Sequence, residues 1–175
     1  RSFPLLLPLL DQPCPVERMS VVYALGRNPC PSAVEKLVSL LETDDNAYVR
    51  RATAWSLANY DNQIVLKPLI NALKNDVAAV RLWSSSSLAE IGNVSLENAQ
   101  LAAEQLLISL KIDNESGVRS NCIWSLCRLY EKLNNTFQES FVDECTKIAL
   151  FDKEPSVMEE AKTALDSMGM QGFYN

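Results

Sequence analysis

Histidine is missing from all 175 residues. That absence removes the usual general base and the commonest metal ligand, so serine-protease chemistry and histidine-based metal catalysis are excluded, and no metal site is expected. Cysteine is sparse and odd in number: Cys14, Cys30, Cys122, Cys127 and Cys145, with no Cys-x-x-Cys spacing. Neither a zinc knuckle nor a disulfide framework is indicated, and a reducing compartment fits best. Positive charge is in deficit, 16 basic against 22 acidic residues for a net charge of -6. A phosphate backbone calls for clustered Lys and Arg, so the balance argues against a nucleic-acid partner. No apolar run approaches the roughly 20 residues of a membrane span. The opening "RSFPLLLPLL" is interrupted by Pro4 and Pro8 and has neither an initiator Met nor a signal-peptide cleavage pattern, so it reads as a broken first helix of the fold.

What the chain does have is repetition. "YVRRATAWSLANY" at 48–60 returns 69 residues later as "GVRSNCIWSLCRLY" at 117–130. Sliding the pattern along the chain aligns five segments: "ERMSVVYAL", "VRRATAWSL", "VRLWSSSSL", "VRSNCIWSL" and "VMEEAKTAL". The second position is Arg18, Arg50, Arg81 and Arg119 in the first four and Met158 in the fifth. Ahead of each lies another run of helical periodicity, as with Leu66, Leu69, Ile70 and Leu73, ending in a turn rich in Asp and Asn. The chain thus reads helix A, turn, helix B, five times, with no sustained strand alternation. The repeats span roughly 1–28, 32–60, 64–92, 97–131 and 137–169 of a single domain. The steps of 32, 31, 38 and 39 residues leave each unit too small to bury its own apolar face, so neighbours must stack. "GNVSLEN" after Ile91 and "EKLNNTFQES" after Tyr130 read as insertions between a B helix and the next A helix.

The stretches "DDNAYVRRATAWSL" and "DVAAVRLWSSSSL" resemble the D-x(n)-V-R-x-x-A-x-x-A-L signature of HEAT repeats, with the small Thr53 and Ser56, and Ser84 and Ser87, where that signature has Ala, and the short period resembles the HEAT-like units of phycobilisome bilin lyases of the E/F type. The resemblance implies an all-α fold, a right-handed α-solenoid of about five helical hairpins. It also implies pairing of turn acids with B-helix arginines across neighbouring repeats, which maps onto Asp45, Asp76 and Asp113 with Arg50, Arg81 and Arg119. Members of that lyase group attach an open-chain tetrapyrrole to a phycobiliprotein cysteine, often as two-subunit complexes. By that resemblance the substrate is a bilin such as phycocyanobilin or phycoerythrobilin, with no permanently bound cofactor. The partners are a phycobiliprotein subunit and a second HEAT-repeat subunit, and the compartment is the cyanobacterial cytosol or plastid stroma.

Counting each B helix from its Val position, slots one, five, eight and nine carry small or branched residues and are expected in the core. Slots three, four, seven and eleven are left on the remaining arc. Slot seven holds Tyr23, Trp55, Ser86, Trp124 and Thr163; where the third repeat has Ser86, slot four supplies Trp83. Slot eleven adds Arg27, Asn59, Glu90 and Arg128, and slot three adds Arg51. In HEAT-like arrays the B helices line the concave side, so Tyr23, Arg27, Arg51, Trp55, Asn59, Trp83, Ser86, Trp124 and Arg128 are the candidate groove. An aromatic strip with arginines at its margin suits a flat conjugated ligand bearing carboxylates, or a protein surface with apolar anchors. Asp61 and Glu90 are candidate proton donors to a bilin. Plainer expectations stand beside these. Trp83 is the ring best read as core, Cys122 and Cys127 as core filling, Asp44 and Asp45 as solvated capping residues, and "SSSS" at 84–87 as helix surface plus small core slots.

Two function classes follow. One is a bilin lyase subunit or bilin chaperone; the other is a non-catalytic scaffold that grips a partner protein through the same groove, in phycobilisome assembly or degradation. A HEAT-like DNA glycosylase is disfavoured by the acidic balance, and an iron-dependent hydroxylase of HEAT type by the lack of histidine. The apolar start, with no polar repeat before it, predicts a dimer.

Overall fold

A computed structural model describes residues 3–172 and 174; Arg1 and Ser2, at the start of the first repeat as read from the sequence, lie outside the described residues. Among these residues there is no strand, and the elements are α1 (Pro15–Arg27), α2 (Val34–Thr43), α3 (Ala47–Leu57), α4 (Leu66–Asn75), α5 (Ala78–Gly92), α6 (Leu96–Ile112), α7 (Ser116–Leu129), α8 (Asn135–Phe151) and α9 (Pro155–Ser167). The odd-numbered helices are the B helices. The even-numbered ones are A helices, and in the first repeat a 3-10 segment at Phe3–Asp11 takes the A position. Pro8 lies inside that segment and has no N–H to give, which agrees with a broken helix there.

The chain gathers into two compact units, residues 1–91 and 92–175, each described by itself. The division falls at the "GNVSLEN" stretch. That stretch and "EKLNNTFQES" are expected as insertions in connections, but part of each extends an A helix, Leu96–Asn98 in α6 and 135–140 in α8: α6 and α8 are 17 residues long, against 10 for α2 and α4. Capping explains where they start, for Ser95 accepts from the Asn98 N–H and Asn134 from the Phe137 N–H.

Slot nine of the B helices, Leu25, Leu57, Leu88, Leu126 and Leu165, is fully buried in every repeat, and slots one and five are buried in repeats two to five. Slot six, which the simple face count leaves out of the core, is buried as well in Val22, Ala54, Ser85 and Ile123. A B helix packs on its own A helix and on neighbouring B helices, so its buried arc is wider than one stripe. In unit 1, α3 packs against both α1 and α2; in unit 2, α9 packs against both α7 and α8. The serine run belongs to this arc: Ser84, Ser85 and Ser87 are buried and Ser86 is half-buried, so only one of the four faces outward.

The repeats within each unit are linked by an arginine ladder. Arg18 forms a two-pronged pair with Asp44, Nε to Oδ2 at 2.8 Å and Nη2 to Oδ1 at 2.9 Å, while its Nη1 donates to the Gln12 carbonyl. Arg50 repeats the pattern with Asp76 and the Asp44 carbonyl, and Arg119 with Asp152 and the Asp113 carbonyl. Arg81 donates to the Asp76 carbonyl in the same way. Arg18, Arg50 and Arg119 therefore each tie their own turn to the acid of the next one. Two expectations need correcting. The acid in the second turn is Asp44, buried against Arg18, whereas Asp45 is exposed; and Asp44 does not cap α3, whose first N–H groups are taken by the Asn46 side chain. The Asp44 carboxylate instead points back along the chain to the preceding repeat. The Asp113 side chain accepts from the Glu115 N–H, and in unit 2 the acid facing Arg119 is Asp152.

Burial raises the pKa of Asp44, Asp76 and Asp152, but hydrogen bonds from their arginines and from a backbone N–H, with the arginine charge, outweigh it, so each stays below the ordinary carboxylate range.

Candidate functional site

In unit 1 the outward face of the B helices carries the predicted residues. Tyr23 on α1 and Trp55 on α3 meet with ring centroids 5.4 Å apart and planes tilted by 56°, an ordinary aromatic pairing geometry. Gly26 makes this possible. A Cβ there would stand 2.5 Å from the Trp55 ring and 3.0 Å from Ser56 Oγ, so only glycine lets the indole lie against α1. One turn before Trp55, Arg51 places its guanidinium 5.5 Å from the centroid of the exposed Tyr48 ring, and its Nε is buried without a hydrogen-bond partner. Asn59 is exposed at the end of α3, its side-chain amide within 3.4 Å of the Ser56 carbonyl. Trp83 on α5 is 37 % exposed, which overturns its reading as a core ring. Ser86 is half-buried, and Arg27, Asp61 and Glu90 are exposed.

In unit 2 the corresponding face carries Trp124, 40 % exposed, with the Arg128 guanidinium 5.0 Å from its ring centroid. Within each unit, then, an aromatic ring is half in solvent and has an arginine within a helical turn. Such a ring loses little by being covered and gains the burial of its remaining apolar area. Cysteine chemistry is absent from this face. Cys122 and Cys145 are buried and their thiols held protonated by desolvation; burial likewise pushes Cys127 up to about 11. Among the described residues all five cysteines are free thiols, no cluster of His, Cys, Asp or Glu could hold a metal, and no helix is long and apolar enough to cross a membrane.

Sequence reasoning misses one residue of structural weight. Tyr60, the final residue of the repeated motif, is buried; its hydroxyl donates to the Leu25 carbonyl in the last turn of α1 and accepts from the Cys30 N–H. It closes the end of one B helix from the next repeat. The signal available was the motif's shared terminal Tyr; its counterpart Tyr130 instead packs on Phe141, centroids 6.3 Å apart.

The sequence pattern of HEAT repeats matches residues 3–89 and, in a second overlapping register, 34–127. The chain belongs to the HEAT-repeat family. Three solved structures show the same fold. One is the complex of CpcE and CpcF of phycocyanin lyase from Nostoc sp. PCC7120: 22 % identity, 93 % of this chain and 97 % of that chain covered, TM-score 0.71. Another is an engineered protein of a structural genomics consortium: 23 % identity, 94 % and 80 % covered, TM-score 0.69. The third is a designed armadillo repeat protein in complex with the peptide (KR)4: 19 % identity, 99 % and 90 % covered, TM-score 0.66. At such identities the likeness is one of fold. A search of curated protein sequences finds no match.

Proposed function

We propose that this HEAT-repeat chain is a subunit of a bilin-handling assembly, a phycobiliprotein lyase subunit or bilin chaperone that presents its B-helix face to an open-chain tetrapyrrole carried to or from a partner protein. The observation that carries this reading is the exposed Trp124 indole with the Arg128 guanidinium 5.0 Å from its ring centroid, echoed in unit 1 by the half-buried Trp55 one helical turn after Arg51, whose guanidinium lies over Tyr48. An indole offers a flat apolar surface to a conjugated ring system, and a guanidinium can hold a propionate in two-pronged fashion. The CpcE–CpcF structure, matched over nearly its whole length, supports the reading at the level of fold. No thiol of the chain need take part in bond formation, since the acceptor protein brings the nucleophile and this chain supplies orientation. Asp61, after α3, and Glu90, on α5, are the exposed carboxyls that would serve as proton donor to the bilin.

A second reading rests on a specific observation. The aromatic rings lie on open helix faces, and the cavities of about 430 and 410 Å³ lie elsewhere, at the turns. An open face fits a protein surface as well as a small molecule, and HEAT arrays without catalysis use it so.

The deciding experiment is a titration with phycocyanobilin, following visible absorption and Trp emission together, on the chain and on its Trp55→Ala and Trp124→Ala variants. Bilin handling predicts a saturable red-shifted band with Trp quenching, weakened in both variants while far-UV circular dichroism is unchanged. No band, alone or with a phycobiliprotein apo-subunit present, refutes bilin handling and leaves the protein-scaffold reading.

A further inference from the structure

The two cavities at the turns are one groove built twice by the repeat. The first, about 430 Å³, lies in unit 1 over the Arg50–Asp76 pair, between the end of α2 and the end of α4. The second, about 410 Å³, lies in unit 2 over the Arg119–Asp152 pair, between the ends of α6 and α8. Every residue lining the first has its repeat counterpart in the lining of the second. The floor is kept, while the walls gain three lysines and, where Pro68 gives way to Glu144, one acid. Glu42 is replaced by Lys111, Asn71 by Lys147 and Val77 by Lys153, while Asn75 is replaced by Phe151. Ile112, the last residue of α6 and part of the same lining as Phe151 at the end of α8, stands where the earlier repeat has Thr43.

Both apolar side chains at the second groove are far more exposed than core-type residues need be, Ile112 at 72 % and Phe151 at 79 %. The charge around them runs against its surroundings. Residues 92–175 hold seven basic and thirteen acidic side chains, yet the groove lining, with Asp113, Glu144 and Asp152 included, sums to +1; the first groove's lining sums to -1. Asp152 is occupied by Arg119, and Glu144 is shared between Lys111 at 3.9 Å and Lys147 at 3.7 Å, which leaves Lys153 at the mouth. Apolar anchors inside a cationic rim, on an otherwise acidic unit, select a ligand of the opposite pattern.

We propose that the groove between the ends of α6 and α8 docks an acidic segment of a partner protein, seating an aromatic or branched aliphatic residue between Ile112 and Phe151 with its carboxylates on Lys111, Lys147 and Lys153. The site is on the A-helix turns, away from the indole face, and does not depend on the bilin reading. The first groove, with the same floor and the opposite charge, is its built-in control.

The test is fluorescence anisotropy with a labelled peptide of Glu residues flanking a central Phe-Leu pair, and with the same peptide carrying Lys for Glu. The Glu peptide binds saturably and more weakly as salt rises, and the Lys peptide does not bind. The Lys111→Glu/Lys147→Glu double variant and Phe151→Ser each weaken binding at least about tenfold. All three positions are on the surface, so circular dichroism should show unchanged helix content. Grafting the second lining onto the first groove, as Glu42→Lys/Thr43→Ile/Asn71→Lys/Asn75→Phe/Val77→Lys, raises the stoichiometry from one peptide to two. No saturable binding below about 1 mM, equal binding of both peptides, or indifference to Phe151→Ser would each overturn the proposal. So would light scattering that shows the chain pairing with itself through Phe151, because the occupant would then be a second copy.

Discussion

Slot eight of the B helices offers one substitution with two opposite outcomes. Ser56 and Ser87 occupy it in consecutive repeats of unit 1, both buried. Ser56 Oγ has no hydrogen-bond partner, whereas Ser87 Oγ donates at 2.7 Å to the carbonyl of Ala54 in the last turn of α3, where carbonyls lack an intrahelical donor. Removing a buried hydroxyl without a partner recovers its desolvation penalty, about 1–3 kcal/mol. Against this stands the void left by one oxygen, about 0.5 kcal/mol at the usual cavity rate. Alanine's better helix propensity adds about 0.5 kcal/mol. Ser56→Ala should therefore stabilise unit 1 by about 1–3 kcal/mol, the cavity and propensity contributions cancelling. Ser87→Ala loses a hydrogen bond and strands the Ala54 carbonyl, and should destabilise by about 1 kcal/mol even after the same propensity gain. Urea unfolding followed by circular dichroism measures both, with a thermal scan beside it. Each kcal/mol moves Tm by about 3 °C if the chain unfolds as one body and by about 6 °C if unit 1 unfolds alone. Shifts of the same sign in both variants would refute the argument, since they would show that slot-eight energetics follow volume rather than hydrogen bonding.

Gly26→Ala should destabilise by about 1–3 kcal/mol through overpacking and change Trp emission, because the new Cβ would stand 2.5 Å from the Trp55 ring; an unchanged spectrum and urea midpoint would show that the indole is not held there. Since Asp44, Asp76 and Asp152 have pKa values below those of the unfolded chain, the stability they contribute is complete above the unfolded value of about 4 and is lost as pH falls through their folded values. Urea midpoints should be flat down to about pH 5 and drop below about pH 4, less steeply in Asp76→Asn; a midpoint still flat at pH 3 would count against the ladder. Mass spectrometry after brief alkylation at neutral pH should find Cys14 modified and Cys122 and Cys145 protected until denaturant is added, and rapid labelling of either buried thiol would contradict its placement.

The repeat could be read from the sequence because its signal is periodic. Leucine at slot nine and arginine at slot two recur in phase, and burial at those slots follows from helix geometry alone. The acid partners could not be phased so well. Asp44 and Asp45 are adjacent and chemically identical, and choosing between them needs the direction in which the turn leaves α2. Trp83 is ambiguous in the sequence for a related reason: it belongs by face to the groove set, yet its slot is buried as Ala52 one repeat earlier, and a helical face count does not separate the two. The turn grooves left no trace in any local window, because their walls come from residues more than 25 positions apart that meet through the repeat itself.

Each rung of the arginine ladder joins one repeat only to the next. Arg18 reaches Asp44, Arg50 reaches Asp76, and Arg119 reaches Asp152. Cooperativity within a unit is therefore transmitted stepwise, as in a one-dimensional chain of coupled elements. Cutting the Arg18–Asp44 rung should let the first repeat open by itself while α4 and α5 keep their amide protons, so hydrogen exchange would rise at one end of the unit rather than throughout. A protein built this way can loosen one repeat to admit a partner without giving up the rest of its fold.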